Sequence, residues 1–320
     1  MTAMVNRRFG CYSPTRSNVY NFDTLERQVG RAFNVYSTFI SFDSTTVTHS
    51  EIRTASDTGH DILLAWQPSR TVGLRFSDIL AGSYDRYIDG WFDFLAAFPT
   101  TVYIRFGHEM NGSYTPWSPL YTGAVASSQC TSPAQFAQVW RYLVARQRAN
   151  KRAINIRWYF CPNVNDVPVR TPYPLETFYP GSAYVDVVGY DSYNGLSGQW
   201  LSPLQTLAGK TGTTANAYDR VGALRRDAGV WVGETGCVDA GDPKDINPPV
   251  YDSHSKAQWW TDLFAIGDDL PRLTTICFFN ETGSRNWRFD SSPQSLASFQ
   301  RNFANRMGRP VTRSRSIGGR

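Results

Sequence analysis

Charged residues are sparse in this chain of 320 residues, and long apolar runs are missing from it. Asp, Glu, Lys and Arg together make up 18% of the residues, while 41% are hydrophobic. This balance excludes a mostly disordered chain, because so much apolar side-chain surface can build a sizeable core. No apolar stretch approaches the roughly 18–20 residues that a membrane-spanning helix needs, so we expect no membrane association.

No long hydrophobic segment follows Arg7 and Arg8, the two arginines near the amino terminus. A secretory signal peptide carries an apolar region of about 7–15 residues after its basic residues, so we expect none in this chain. The net charge is +5, and part of the excess lies in a basic, loosely held tail over residues 308–320. So mild an excess, concentrated at the chain ends, indicates a solvated tail, and we expect no nucleic-acid partner.

Metal and phosphate motifs are missing as well. The string HEMNG at residues 108–112 lacks the second His of a zinc-binding HExxH helix, and no Gly-rich phosphate loop follows any predicted strand. We therefore expect no metal and no cofactor. The cysteines have no CxxC pair and no zinc-like spacing; they are Cys11, Cys130, Cys161, Cys237 and Cys277. We interpret them as small buried residues, with a single disulfide as the alternative.

Eight short runs of β-branched and aromatic residues alternate with longer helical patterns. The predicted strands cover residues 9–12, 34–42, 61–66, 101–106, 154–160, 185–190, 230–233 and 274–280. Helices are predicted over residues 84–98, 133–149, 217–227, 255–266 and 293–307, and Ser132 and Ser292 are suited to cap two of them. Such alternation indicates a single (β/α)8 TIM barrel, which we assign to residues 1–307 as the catalytic domain. In the fifth unit, the proline-rich segment 164–180 predicts a loop.

Polar side chains collect where four of the predicted strands end. The segments are RFGHEMNG (residues 105–112), GYDSYN (189–194), GETG (233–236) and FNE (279–281). Because the active site of a TIM barrel lies at the carboxyl ends of its strands, these segments are predicted to meet around one cleft.

Two carboxylates, Glu109 and Glu234, end the fourth and seventh predicted strands, which face each other across the mouth of the barrel. Glycoside hydrolysis needs such a pair, with one group ionised as the nucleophile and the other protonated as the acid. His108 and Asn111 are close enough in sequence to supply hydrogen bonds that set the state of Glu109. The alternative is a buried glutamate that pairs with an arginine such as Arg105.

The string RFGHEMNGSYTPW at residues 105–117 resembles the acid/base segment of glycoside hydrolase family 26, the β-mannanase family of clan A. VGYDSYN at residues 188–194 and WVGETGC at 231–237 are similar to the sixth- and seventh-strand segments of that family. The resemblance implies a retaining, endo-acting hydrolase of a β-linked polysaccharide. In it, Glu109 would be the acid/base and Glu234 the nucleophile.

The same resemblance implies roles for neighbouring residues. Tyr193 would hold the nucleophile through a phenolic hydrogen bond, and His108 would contact the sugar or orient the carboxylates. Arg105 would lie beneath the site and tie down a carboxylate. Tyr114 stands where many members carry a tryptophan that stacks on sugar, and Asp191 is expected in the cleft.

Several aromatic and polar residues near strand ends are candidates for sugar contacts. Trp66 ends the third predicted strand, where it is either a subsite residue or a core tryptophan. Trp117 is expected to be exposed to ligand in the loop after Glu109. After the eighth strand, where the family commonly has a tryptophan platform, this chain has Asn280 and, further on, Trp287.

Tyr114 and the residues after the eighth strand stand where tryptophans are common in the family. Two alternatives to a β-mannanase-like enzyme follow from these differences. One is the same barrel acting on mixed-linkage β-glucan, xylan or a bacterial wall or capsular polysaccharide. The other is a non-catalytic carbohydrate-binding protein, although that function predicts the loss of a carboxylate and both are present. In each case the partner is a polysaccharide outside the cell, and we expect the protein to be a monomer.

Overall fold

A computed structural model describes residues 7–14, 22–42, 49–68, 74–123, 129–195, 200–209, 216–239 and 255–304. Within these ranges, eight parallel strands close into a barrel, each paired with the next along the chain and the last with the first. The strands are β1 (Arg8–Tyr12), β2 (Val35–Ser41), β3 (Asp61–Gln67), β4 (Val102–Phe106), β5 (Ile156–Phe160), β6 (Val187–Asp191), β7 (Val230–Thr235) and β8 (Leu273–Phe279). The predicted barrel is confirmed, and no strand boundary differs from its prediction by more than two residues. The basic tail lies outside the described residues.

Helices pack around the outside of the barrel. They are α1 (Phe22–Val29), α2 (Ser50–Asp57), α3 (Phe76–Leu80), α4 (Asp85–Ala96), α5 (Pro133–Ala149), α6 (Pro203–Ala208), α7 (Ala217–Leu224), α8 (Lys256–Ala265) and α9 (Pro293–Ala304). Both predicted caps are present: the Ser132 hydroxyl accepts a hydrogen bond from Gln135 N at 3.2 Å, and that of Ser292 from Ser295 N at 3.1 Å. No helix among the described residues is long and apolar enough to span a membrane.

The fifth strand–helix unit departs from the regular pattern, as its prolines predict. Two short 3-10 turns, Leu175–Phe178 and Ser182–Tyr184, stand between β5 and β6, and every residue of that connection is described. The rest of the connection from 161 to 174 runs as loop above the end of β5. It therefore borders the mouth of the barrel directly.

The larger part of the core lies between the strands and the helices, and Trp66 belongs to it. This tryptophan is 1% exposed, and its ring centroid lies 5.0 Å from that of Phe42. Side chains alternate along a strand, and Leu63 of β3 packs inside the barrel, so Trp66 points outward against the helices. The core alternative for Trp66 is thus correct, and a sugar subsite at this residue is wrong.

A second, smaller cluster fills the inside of the barrel. Its buried members are Val35, Leu63, Tyr159, Cys161, Trp231 and Cys277. All five cysteines of the chain are buried and free, which confirms their interpretation as small core residues. Burial raises the pKa of the Cys277 thiol to about 12, so this thiol stays protonated at neutral pH.

Gly189 of β6 makes room for this inner cluster. A Cβ atom at position 189 would lie 2.0 Å from the Trp231 carbonyl oxygen and 2.6 Å from the Tyr159 hydroxyl. We expect Gly189→Ala to lower the free energy of unfolding by about 3 kcal/mol, because the backbone of β7 cannot move aside. Urea denaturation measures this loss. Gly267→Ala is the control, since nothing lies within 4 Å of its added Cβ; equal losses in the two variants would contradict the packing.

Candidate active site

The carboxyl ends of β4, β6 and β7 bring four ionisable side chains together. Arg105 is in β4, Asp191 is the last residue of β6, Glu234 is in β7, and Glu109 lies in the turn that follows β4. Three of the four are buried, whereas Glu109 is partly exposed. This cluster therefore lies at the end of the barrel where the sequence predicts the site.

The turn after β4 has an unusual backbone at Glu109. Its φ angle is +56°, in the left-handed region that costs a non-glycine residue roughly 1–2 kcal/mol. The backbone N–H of Glu109 donates to the Cys161 carbonyl at 2.9 Å, and the Gly112 N–H donates to the Glu109 carbonyl at 3.0 Å. These two hydrogen bonds hold the glutamate in a fixed position at the mouth of the barrel.

Arg105 is the centre of the buried part of the site. Its Nη1 donates to both oxygens of Asp191, at 2.8 and 2.9 Å, and its Nη2 donates to Oε1 of Glu234. Burial lowers the pKa of the Arg105 guanidinium, but the charges of Asp191 and Glu234 outweigh it and raise that pKa well above its usual range. Arg105 is thus a permanent cation beneath two carboxylates, as the resemblance implied.

Asp191 is completely buried in this cluster. Burial raises the pKa of its carboxyl group, the Arg105 guanidinium lowers it, and the charge of Glu234 raises it again. The Cys161 thiol also lies 3.2 Å from Oδ1 of Asp191. Asp191 therefore holds the Arg105 guanidinium and is shielded from solvent. The sequence predicted a residue that lines the cleft, and the buried position of Asp191 differs from that prediction.

Glu234 has a donor on each carboxylate oxygen. Arg105 bonds to Oε1, and the Tyr193 hydroxyl donates to Oε2 at 2.6 Å. Burial and the charge of Glu234 raise the pKa of the Tyr193 phenol, so it keeps its proton and remains a donor. The two donors fix the orientation of the Glu234 carboxylate.

Glu109 has a different neighbour. The Tyr114 hydroxyl forms a hydrogen bond with its carboxyl group, while half of the Tyr114 side chain is exposed (50%). Desolvation of the phenol and the nearby Glu109 raise the pKa of Tyr114, so this phenol is neutral as well. Glu109 thus contacts a neutral hydroxyl at the rim, whereas Glu234 contacts a guanidinium in the interior.

His108 also reaches the cluster. It is 5% exposed, and one of its ring nitrogens lies within 4.8 Å of carboxylate oxygens of both Asp191 and Glu234. This trio is the group of three possible metal ligands found among the described residues. Because Arg105 already bonds to both carboxylates, a cation at the trio would meet its positive charge. We therefore assign His108 to the carboxylate site and name no metal.

Trp117 and Asn111 are near Glu109 but are structural residues. Trp117 is fully buried, and its Nε1–H donates to the His108 carbonyl at 2.7 Å, so the expected exposure to ligand is wrong. Asn111 is fully buried too, and its Nδ2 donates to the Asn163 and Asn165 carbonyls at 3.0 and 3.1 Å. These bonds attach the loop after β5 to the Glu109 turn, whereas the sequence predicted bonds to Glu109 itself.

The two candidates after β8 are also buried. Asn280 is 2% exposed, and its side-chain oxygen accepts a hydrogen bond from Phe289 N at 3.0 Å. Trp287 is 4% exposed, and its ring lies 4.6 Å from that of Tyr193. Trp287 therefore packs against the tyrosine that holds Glu234 and is not exposed to a ligand.

Four partly exposed side chains lie on the other side of the cleft. They are Tyr12, Phe39, Phe279 and Glu281, which lie in or just after β1, β2 and β8. The sequence segment FNE placed Phe279 and Glu281 at the cleft without a role, whereas Tyr12 and Phe39 were missed, and the rule that sites lie at strand ends could have found Tyr12. Phe39 precedes the end of its strand, and only the closed barrel shows that its ring faces the guanidinium of Arg105 at 5.4 Å.

Comparisons with known proteins point to the same class of protein as the geometry of the site. Residues 84–206 match the model of Glycosyl hydrolase family 26. Endoglucanase H of Acetivibrio thermocellus is 26% identical over 295 residues, which cover 90% of this chain and 29% of that protein. Mannan endo-1,4-beta-mannosidase A and B of Caldalkalibacillus mannanilyticus is 32% identical over 126 residues, covering 39% of this chain and 21% of that protein. The chain spans less than a third of the length of these curated relatives.

The barrel itself is shared with solved structures. A modular endo-beta-1,4-mannanase of family 26 from Cellulomonas fimi superposes with a TM-score of 0.64 at 18% identity, covering 94% of this chain and 71% of that one. At this identity the superposition shows the shared fold alone. In its motifs, in residues 84–206 and in its barrel, this chain is therefore similar to glycoside hydrolase family 26.

Proposed function

We propose that this chain is a retaining glycoside hydrolase that cleaves a β-linked polysaccharide at internal bonds. The observation that carries the proposal is the contrast between two glutamates at facing strand ends. Glu234 is buried on Arg105 and Tyr193, while Glu109 lies at the rim beside Tyr114. The names of the relatives, an endoglucanase and a mannan endo-1,4-beta-mannosidase, support an endo-acting enzyme.

In the first step, a Glu234 oxygen attacks the anomeric carbon of the bound sugar. The bond to the leaving oxygen breaks as Glu109 gives that oxygen its proton, so a glycosyl ester forms on Glu234. Arg105 and Tyr193 hold the carboxylate in the orientation for attack. The bidentate contact of Arg105 with Asp191 keeps the guanidinium in place as the charge on Glu234 disappears.

In the second step, Glu109 takes a proton from a water molecule, and the oxygen of that water attacks the anomeric carbon. The ester bond to Glu234 breaks, and the carboxylate returns to its two donors. Glu109 is the base that this step requires. His108, one ring nitrogen of which lies within 4.8 Å of a Glu234 oxygen, would contact the sugar.

The proposal also concerns which polysaccharide is the substrate. We favour a β-mannan, as the resemblance implies, with mixed-linkage β-glucan and xylan as alternatives. Tyr114 takes the place of a sugar-stacking tryptophan, and Phe279 ends β8 where a tryptophan platform is common in the family. Both changes concern rings that touch sugar, and both leave the glutamate pair intact.

Release of reducing ends from β-mannan, mixed-linkage glucan, xylan and bacterial wall polysaccharides tests this proposal. We expect the wild-type chain to hydrolyse at least one neutral β-glycan, with fragments of intermediate length early in the reaction. Glu234→Ala, run beside it on the same polymer, serves as the blank. Silence of the wild type on every polymer, with binding retained, would instead favour a carbohydrate-binding protein.

A further inference from the structure

The turn that carries Glu109 is attached at several points to the loop that follows β5. Glu109 N donates to the Cys161 carbonyl at 2.9 Å, where this loop begins. Two positions after Glu109, the buried Asn111 accepts at its side-chain oxygen from Asn163 N at 2.8 Å and at its carbonyl from Val167 N at 3.0 Å. The turn therefore takes its position from a loop in the next strand–helix unit.

Asp166 connects this loop to two other parts of the chain. Its Oδ1 accepts from Asn111 Nδ2 and from Leu175 N, both at 2.9 Å. Its Oδ2 accepts at 2.8 Å from Nη2 of Arg220, a residue of α7. A single carboxylate, 14% exposed, thus joins the Glu109 turn, the 3-10 turn that begins at Leu175 and helix α7.

Arg220 is fixed by a second carboxylate. Its Nε donates to Oε1 of Glu176 and its Nη2 to Oε2, both at 2.7 Å. Because Glu176 accepts through both of its oxygens, the guanidinium stays paired when Asp166 is replaced. The charge of Asp166 can therefore be removed without leaving an unpaired cation.

The backbone of Glu109 makes the attachment of its turn important. A non-glycine residue at a φ angle of +56° is held there by its surroundings, because ordinary backbone angles are more stable by about 1–2 kcal/mol. If the loop after β5 loosens, the turn can relax and the Glu109 carboxyl moves. A displacement of about 1 Å in a reacting group can cost about 10²-fold in rate.

Glu234 depends on the same loop less directly. Its two donors lie outside the loop. The loop meets β6 through backbone bonds, such as that from Val164 N to the Asp191 carbonyl at 3.0 Å, and these bonds do not use the Asp166 side chain. A change at Asp166 should therefore act on Glu109 and spare the nucleophile.

We infer that Asp166 is a positioning residue for the acid/base: held by Arg220, it fixes the loop after β5 on Asn111 and so keeps the Glu109 carboxyl at the leaving oxygen. The inference rests on the proposed function, because it takes Glu109 as the proton donor. It adds a carboxylate from a different strand–helix unit, which acts on Glu109 through Asn111.

Asp166→Asn is the test variant, because an amide has one acceptor oxygen where a carboxylate has two. Either Arg220 or the two donors at Oδ1 then lose their acceptor. The side chain keeps its size, and thermal unfolding monitors the fold.

Two substrates separate positioning from general damage. One is the polymer that the wild type hydrolyses, and the other is a dinitrophenyl β-glycoside of the same sugar, whose leaving group needs no proton. We expect Asp166→Asn to lower kcat/KM for the polymer about 10-fold or more, because Glu109 is displaced. For the dinitrophenyl substrate we expect a change of less than about 3-fold, because Glu234 attacks it without proton donation. Damage to the whole site would lower both values equally.

A second measurement adds Asp166→Asn to the Glu109→Ala variant. With the acid/base removed, Asp166 has nothing left to position, so the residual polymer hydrolysis should change by less than about 2-fold. A merely structural role predicts the same loss in both backgrounds.

Glu176→Gln is the matched control. It neutralises a carboxylate on the same arginine, but the Glu176 side chain is 40% exposed and its bonds to Arg220 do not reach the Glu109 turn. We expect both kcat/KM values to stay within about 2-fold of the wild type. Arg220→Gln is a second test variant: it releases Asp166 from α7, and the same selective loss is expected to a smaller extent. It decides the question if Asp166→Asn does not fold.

An equal fall with both substrates, or an unchanged kcat/KM for the polymer, would overturn the inference. So would a full additional loss in the Glu109→Ala background. These results leave the proposed function standing, because the wild type is active in each of them. A wild-type chain that hydrolyses neither substrate would instead reject the proposed function, and the positioning role with it.

Discussion

Glu234→Ala is expected to lower kcat for polymer hydrolysis by about 10⁴-fold or more, because Glu234 is the group proposed to form the glycosyl ester. The fold should survive, since Arg105 keeps its bidentate contact with the buried Asp191 and no charge is left uncompensated. Reducing-end assays measure the loss, and thermal unfolding monitors the fold. Turnover close to that of the wild type would remove Glu234 from the mechanism.

Azide makes this test specific for the nucleophile. The small anion can enter the space left by the side chain and attack the anomeric carbon from the same face. A single displacement then yields a glycosyl azide of inverted, α configuration. A substrate with an activated aryl leaving group and NMR of the product give the stereochemistry. A β-glycosyl azide from the Glu234→Ala variant would contradict the assignment.

Glu109→Ala is expected to affect hydrolysis of the polymer and of an activated substrate differently. Hydrolysis of the polymer should fall by about 10³-fold or more, because its leaving oxygen needs a proton. A dinitrophenyl glycoside of the same sugar needs none, so its first step should remain fast and the glycosyl ester should accumulate as a burst. Azide should then speed turnover and give the β-glycosyl azide, since Glu234 still performs the first displacement.

The pH profile provides an independent check on Glu109. For polymer hydrolysis by the wild type, kcat/KM should fall as the pH rises and Glu109 loses the proton that it must donate. The Glu109→Ala variant has no such proton, so this alkaline decline should be missing from its residual kcat/KM on the same polymer. The Tyr193 phenol, whose pKa burial and Glu234 raise, keeps its proton throughout this range and adds no decline of its own. An alkaline decline that is the same in both proteins would assign the acid to another residue.

Local patterns in the sequence were sufficient to predict the barrel. Strand and helix periods, and caps such as Ser132 ahead of Pro133, act within a few residues, so they can be recognised without any knowledge of distant contacts. The strand-end rule then placed Glu109 and Glu234 at one mouth. The family motifs added a role for each of them and for Tyr193, whose predicted contact with Glu234 is present at 2.6 Å.

The tryptophans show where this reasoning fails. Trp66, Trp117 and Trp287 all stand near strand ends, yet each is at most 4% exposed. The face of a strand that points inward depends on the closure of the whole barrel, and the loop tryptophans are covered by segments distant in sequence. The period of side chains along a strand is local, but the direction of its first residue is set by neighbours that a single segment does not contain.

By itself, therefore, the sequence determined the eight-stranded barrel, and it proposed the end of the barrel and the two glutamates that form the candidate site. The tertiary structure alone decided which groups surround Glu234, because Arg105 contacts Asp191 across 86 positions of the chain and Glu234 across 129. It also decided which rings can face a sugar. Burial and charge pairing depend on distances between strands, and these exist only once the barrel has closed.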